Sequence, residues 1–88
     1  MVERSVTIRN KLGLHARPAA LFVQTAARFI SKIIVSNSDV EVDGKSIMGV
    51  LMLAAGKGST ISIRAEGEDS KEAVNALVSL VETGFDEE

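Results

Sequence analysis

Cysteine, tryptophan and tyrosine are absent from these 88 residues, which hold one histidine, His15, and one proline, Pro18. Without cysteine there is no disulfide, no thiolate nucleophile and no sulfur-ligated metal. A single histidine is too few for a histidine-rich metal site, and no patterned Asp/Glu cluster supplies the missing ligands. The lack of Trp and Tyr removes the usual base-stacking platform. A net charge of −2 from 10 basic and 12 acidic residues likewise argues against direct nucleic-acid binding, which calls for a basic excess. No charged-then-apolar leader and no apolar run near about 18 residues occurs, so a cytoplasmic domain without membrane insertion is expected.

What remains is an aliphatic chain. Hydrophobic residues make up 45% and aromatics, all phenylalanine, only 3%, so the core must be Val, Ile, Leu, Met and Ala. Residues 1–88 read as one domain, long enough to bury roughly 60–65% of the unfolded surface. Val2 to Ile8 alternates, with Val2, Val6 and Ile8 on one face and Arg4 interrupting it, which suits an edge strand or one that begins a residue late. From Ala16 to about Phe29 the spacing turns helical, and Ala19, Phe22, Val23, Ala26, Ala27 and Ile30 form a stripe. Lys32 to Ser36 and Val40 to Val42 read as a hairpin around Asn37-Ser38-Asp39. Ser46 to Leu53 reads as a brief helix, and Thr60 to Glu66 as a strand with Ile61, Ile63 and Ala65 inward. Asp69, with Glu72 three residues on, has the pattern of a capping box. It would open a helix with the stripe Ala73, Ala76, Leu77, Leu80 and Val81, ended by Gly84 before an acidic tail. The order is β-α-β-β-α-β-α, an α+β pattern in which helices cover one face of a four-stranded sheet.

His15 sits in Gly13-Leu14-His15-Ala16-Arg17-Pro18, at or beside the N-cap of the first helix. A lone histidine in a small domain is often only a surface or capping residue. Here the backbone N–H groups of Ala16 and Arg17 open a helix and face an anion. Arg17 adds a planar donor fork suited to phosphate oxygens, and Pro18 falls where its missing N–H breaks no helical bond. A Ser-His-Asp arrangement has no partner nearby. Gly44-Lys45-Ser46 fails as a nucleotide loop because Asp39 stands where a glycine is required. A nucleophile with an anion cradle, lacking metal and nucleotide loop, suggests a carrier of phosphate with no catalytic turnover of its own.

Ser46 has two readings: a good N-cap residue, or a modification site whose phosphate would sit well at a helix start. Ile47, Met48 and Leu51 also divide. They are either core, or an exposed apolar patch with Val50 and Leu53 filling the core instead.

Gly13-Leu14-His15-Ala16-Arg17-Pro18-Ala19, followed by Gly44-Lys45-Ser46-Ile47-Met48-Gly49-Val50, resembles the HPr family of histidine-containing phosphocarriers of the bacterial phosphoenolpyruvate-dependent sugar phosphotransferase system. The resemblance covers essentially the whole chain. It implies an open-faced β-sandwich with antiparallel strand order 1-4-2-3 and three helices on one face. It implies that Nδ1 of His15 accepts a phosphoryl group from enzyme I and passes it to IIA domains of sugar permeases. Arg17 and the Ala16 amide would then steady the phosphate, with no cofactor or metal. Ser46 matches the regulatory site of HPr kinase/phosphorylase, and a catabolite control regulator is a further implied partner. Leu14, Ala20, Gln24, Ile47, Met48 and Leu51 match positions that meet partner proteins. Gln24, Ala27 and Gly49 carry no charge where some relatives have lysine, which favours apolar docking. A monomer is the expectation for a carrier that docks in turn with several proteins. Two alternatives stand beside the sugar carrier: a carrier of the nitrogen-related branch, and a corepressor acting through Ser46.

Overall fold

The elements of the computed structural model, which describes residues 1–38 and 40–86, follow the hydrophobic spacing closely. They are β1 (Val2–Thr7), α1 (Ala16–Ala26), β2 (Lys32–Asn37), β3 (Val40–Asp43), α2 (Ile47–Met52), β4 (Thr60–Glu66) and α3 (Ser70–Glu82), then a short 3-10 turn at Gly84–Asp86. The four strands form one antiparallel sheet in the order β1-β4-β2-β3, so β1 is an edge strand as its interrupted pattern predicts. The hairpin residue Asp39 and the acidic tail residues Glu87 and Glu88 lie outside the described residues.

The period of two decides which face of the sheet meets the helices. Val6 and Ile8, Ile33 and Val35, and Ile61, Ile63 and Ala65 point into one buried cluster. The helices add Ala19, Phe22 and Ala26 from α1, Val50 from α2, and Ala73, Val74, Leu77, Val78 and Val81 from α3. On the open face, Ser36 lies beside Ser62, Ser62 beside Ser5, and Ile34 beside Arg64. Arg64 there approaches Glu41 and Glu66 at 3.7 and 3.6 Å. One side of the sheet is therefore a core and the other a polar surface.

Several sequence expectations need correction. α1 stops at Ala26 because the backbone tightens there: Arg28 N donates to Thr25 O and Phe29 N to Ala26 O, three residues back. Ile30 is consequently 72% exposed and leaves the stripe, as does the exposed Ala27. Val74 and Val78 belong to the α3 core face beside the expected residues, because α3 packs across both β1 and β4. Past Gly84 the chain is not merely an acidic tail, since Phe85 turns back and is 2% exposed.

The capping box at Asp69 does not form. Asp69 is the N-cap residue of α3, but its side chain makes no capping hydrogen bond. Its carboxylate instead accepts from the amides of Ile30 and Ser31 at 2.9 and 3.0 Å, and from the Ser31 hydroxyl. These bonds clamp the α1–β2 turn to the start of α3. The approach is close enough to require Gly67 (φ +148°), where a Cβ would stand 2.6 Å from Ser31 Oγ. Lys45 holds the same turn from the other side, its Nζ donating to the Phe29 carbonyl at 2.7 Å.

The Ser31 hydroxyl, above all, holds the Asp69 carboxyl below its ordinary range; the two amides add to this and desolvation opposes it. A carboxyl with a depressed folded pKa stabilises the fold fully above its unfolded value of about 3.9, and that stability is lost as pH falls through the lower folded value. Asp69→Ala is expected to lower the melting temperature at pH 7 by about 5–10 °C. It should also flatten the acid limb of stability below about pH 4. Thermal melts of both proteins from pH 7 to pH 2 check this; parallel acid limbs would refute the clamp.

Candidate functional site

The site is built on the loop that enters α1. Asn10 is buried and its Nδ2 donates to the Gly13 carbonyl at 2.7 Å, while Gly13 N donates to Asn10 O at 3.2 Å. His15 N then donates to Gly13 O at 2.9 Å, and Leu14 N reaches across to Ala55 O at 2.9 Å. The loop thus leans on the segment after α2. Gly13 has φ +68°, and a Cβ there would stand 2.4 Å from Ala55 O and 2.7 Å from Gly56 Cα. Both the left-handed backbone and the missing side chain are needed at this point.

His15 is the N-cap of α1, with extended backbone (φ −82°, ψ −170°) and no capping hydrogen bond from its ring. It is half-buried. Its carbonyl accepts from Ala19 N at 2.9 Å, which starts the helix. The amides of Ala16 and Arg17 therefore open α1 with no acceptor inside it, and Pro18 at the third position has no N–H to leave unpaired. No acidic residue lies in this first turn, so the turn itself sets no negative charge against an incoming anion at the positive helix end. Arg17 is exposed on the same turn. Among the described residues no group of three or more His, Asp or Glu is placed to hold a metal ion, and no helix is long and apolar enough to cross a membrane.

Ser46 caps α2. Its backbone is extended (φ −111°, ψ 118°) and its Oγ accepts from Gly49 N at 3.0 Å. The six-residue helix puts Ser46 roughly 10 Å along the axis from Leu53. It is the far end of α2 that approaches the His15 loop through Ala55; the Asn37 side chain helps anchor that end, donating to Leu53 O at 3.2 Å.

Of the two readings of the α2 side chains, the exposed patch holds for Ile47 and Met48 but not for Leu51. Val50 is fully buried and Leu53 nearly so, whereas Ile47 and Met48 are 42% and 66% exposed and Leu51 is half-buried against the core. α1 packs beside α2, and its residues Ala16, Ala20 and Gln24 follow a four-residue step along its exposed or half-exposed side. Leu14 departs from expectation. It is 4% exposed and belongs to the core cluster, because the Leu14–Ala55 hydrogen bond turns the residue inward. Two exposed apolar residues were missed: Met52, at 69%, and Leu12, also at 69%. Met52 was findable in sequence, standing four residues from Met48 on one helix face; Leu12 carries no such signal.

The family model described as "PTS HPr component phosphorylation site" matches residues 2–83. The chain belongs to the HPr family. It is 49% identical to the phosphocarrier protein HPr of Cupriavidus necator over 87 residues, covering 99% of this chain and 98% of that one. It is 51% identical over 82 residues to the HPr-like protein Crh of Halalkalibacterium halodurans, covering 93% and 98% respectively. The crystal structure of HPr-C-His from Thermoanaerobacter tengcongensis aligns over 100% of this chain and 99% of that one, with a TM-score of 0.96 and 51% identity. Its fold is thus that of the HPr proteins, and the family is one of phosphocarriers.

Gly13→Ala should destabilise the protein by about 2 kcal/mol, from a strained left-handed alanine and the contact with Ala55. Denaturant unfolding measures this, and a loss below about 0.5 kcal/mol would show that the loop does not depend on the glycine.

Proposed function

We propose that this chain is a stoichiometric phosphoryl carrier that takes phosphate from phosphorylated enzyme I onto Nδ1 of His15 and delivers it to IIA domains of sugar permeases. The observation that carries the reading is the position of His15, a half-buried imidazole at the N-cap of α1 beside two amides with no helical acceptor. In the transfer, the Nδ1 lone pair attacks phosphorus as the bond from phosphorus to the donor's nitrogen breaks. The reverse exchange passes the group to a histidine of the acceptor. The Ala16 and Arg17 amides and the Arg17 guanidinium offer donors to the phosphoryl oxygens. Among the described residues no cluster of three or more metal-ligating side chains occurs, and the remaining catalytic groups are expected from the partner's active site.

Ser46 is the proposed regulatory site. Its hydroxyl already lies at the start of α2, where a phosphate suits the helix dipole. Adding about −2 charge there alters the docking face without unfolding the helix. Ile47, Met48, Leu51, Ala20 and Gln24 are the proposed contact residues for enzyme I, IIA domains and, in a regulatory role, a catabolite control regulator. The identity to a Crh protein favours a second reading, a corepressor acting through Ser46. His15 distinguishes the two, because a module of that kind has no use for a phosphorylatable histidine at the N-cap of α1.

Incubation with enzyme I and phosphoenolpyruvate should add one acid-labile, base-stable phosphate, and His15→Ala should abolish it with the melting curve preserved. Label persisting in the folded mutant would overturn the assignment. For Ser46, treatment with HPr kinase and ATP should place phosphate on this residue by mass spectrometry. Phosphate found on Ser38 instead would overturn the regulatory proposal. Ser46→Ala should in addition lose about 1 kcal/mol of stability through the cap.

A further inference from the structure

All three methionines of this chain lie outside its core. Met1, Met48 and Met52 are 77%, 66% and 69% exposed, and the buried cluster is built from Val, Ile, Leu, Ala and Phe alone. Met1 stands at the chain end, whereas Met48 and Met52 are four residues apart on α2 and share one face of it. At about 100° per residue, the midpoint of the pair falls opposite the fully buried Val50. Gly49 also seats the helix closely on β3, since a Cβ there would stand 3.2 Å from Asp43 O and 3.3 Å from Val42 Cβ. Packing α2 in this way turns both thioethers to solvent. Met48 stands two residues beyond the cap Ser46, and Met52 three before Ala55, whose carbonyl receives the Leu14 amide. The pair therefore runs from the capping serine to the end of α2 nearest the His15 loop. With cysteine absent, thioethers are the chain's only sulfur, so a two-electron oxidant meets no thiol that would react first.

From this placement we propose that Met48 and Met52 form a reversible oxidation site, at which hydroperoxides turn the exposed face of α2 from apolar to polar and weaken partner docking without disturbing the fold. The inference rests on the carrier reading and adds to it a modification that controls access to the same face. In the reaction a sulfur lone pair attacks one oxygen of hydrogen peroxide, and the S–O bond forms as the O–O bond breaks. The departing hydroxide takes the proton from the transferred oxygen and leaves as water; sulfur has lost two electrons and the peroxide has gained them. Methionine sulfoxide reductases reverse the step, releasing the oxygen as water while two thiols become a disulfide. A thioether adapts to varied apolar surfaces. A sulfoxide is a polar acceptor that must shed water on docking and finds no donor on an apolar partner surface. Sulfoxide in a core disrupts packing, but neither of these sulfurs is part of the core. Leucine at both positions would offer apolar contact without the oxidisable atom.

The test treats the folded protein with hydrogen peroxide, locates the added oxygen by peptide mass spectrometry and, after removal of the peroxide, measures transfer from phosphorylated enzyme I. One oxygen is expected on each of Met48 and Met52, with the melting temperature within about 2 °C of the untreated value. The kcat/KM for transfer should fall by about tenfold, and methionine sulfoxide reductases with dithiothreitol should restore it. Met48→Leu/Met52→Leu keeps Met1 but removes the site, so its rate, whatever its starting value, should be the same before and after peroxide. Sulfurs that resist oxidation, an undiminished rate in the doubly oxidised protein, an equal loss in the leucine variant, a loss that tracks unfolding, or no recovery with the reductases would each overturn the oxidation site and leave the carrier reading intact. No transfer to the untreated protein would overturn both.

Discussion

The proposed phosphoryl site depends on how residues 10–15 are seated against the segment that follows α2. The Leu14–Ala55 hydrogen bond and the side-chain-free approach of Gly13 to Ala55 and Gly56 fix where α1 begins, and so where its free amides point. A displaced loop would change the direction in which the His15 side chain leaves the helix start. The seating also couples two elements distant in sequence. Leu53 and Ala55 are core residues, so the body of the protein, and not the loop alone, determines the position of the imidazole.

His15 and Ser46 are two versions of one local design: an extended N-cap residue before a helix without acidic residues in its first turn. Their difference lies in what the side chain already does. The Ser46 hydroxyl is occupied in accepting from Gly49 N, and a phosphate there would replace one acceptor with a stronger one at a helix end that favours it. The His15 ring makes no capping bond, which suits the proposed role of a helix start that would receive a group and give it up. An obligatory cap would tie the reactive nitrogen to the stability of α1.

The parts of the structure readable from sequence are those governed by short-range periodicity. The alternation of Thr60–Glu66 and the N-caps at His15 and Ser46 each follow from spacing within a few residues. The misreadings come from contacts across many. Asp69 and Glu72 have the spacing of a capping box, but Ser31 and Ile30, some forty positions earlier, offer the carboxylate three donors in place of one. Leu14 reads as a loop residue beside a reactive site until Ala55 draws it inward. Phe85 lies among acidic residues, and only the tertiary fold supplies the cavity that buries it.

For a carrier, restraint in the site is a physical requirement. Donor, carrier and acceptor exchange the same phosphorus–nitrogen bond, so every stabilisation specific to the phosphorylated carrier speeds loading and slows delivery. At about 1.4 kcal/mol per factor of ten, a buried charge-assisted bond worth about 3 kcal/mol would bias the exchange by roughly a hundredfold toward retention. An exposed guanidinium and two amides at a helix end interact more weakly and with solvent competition, and in the proposed site they would hold a phosphate without trapping it. Affinity for partners is then best placed outside the phosphate site. Exposed Ile47, Met48 and Met52 are the side chains proposed to provide it, and they need not change when a phosphoryl group moves.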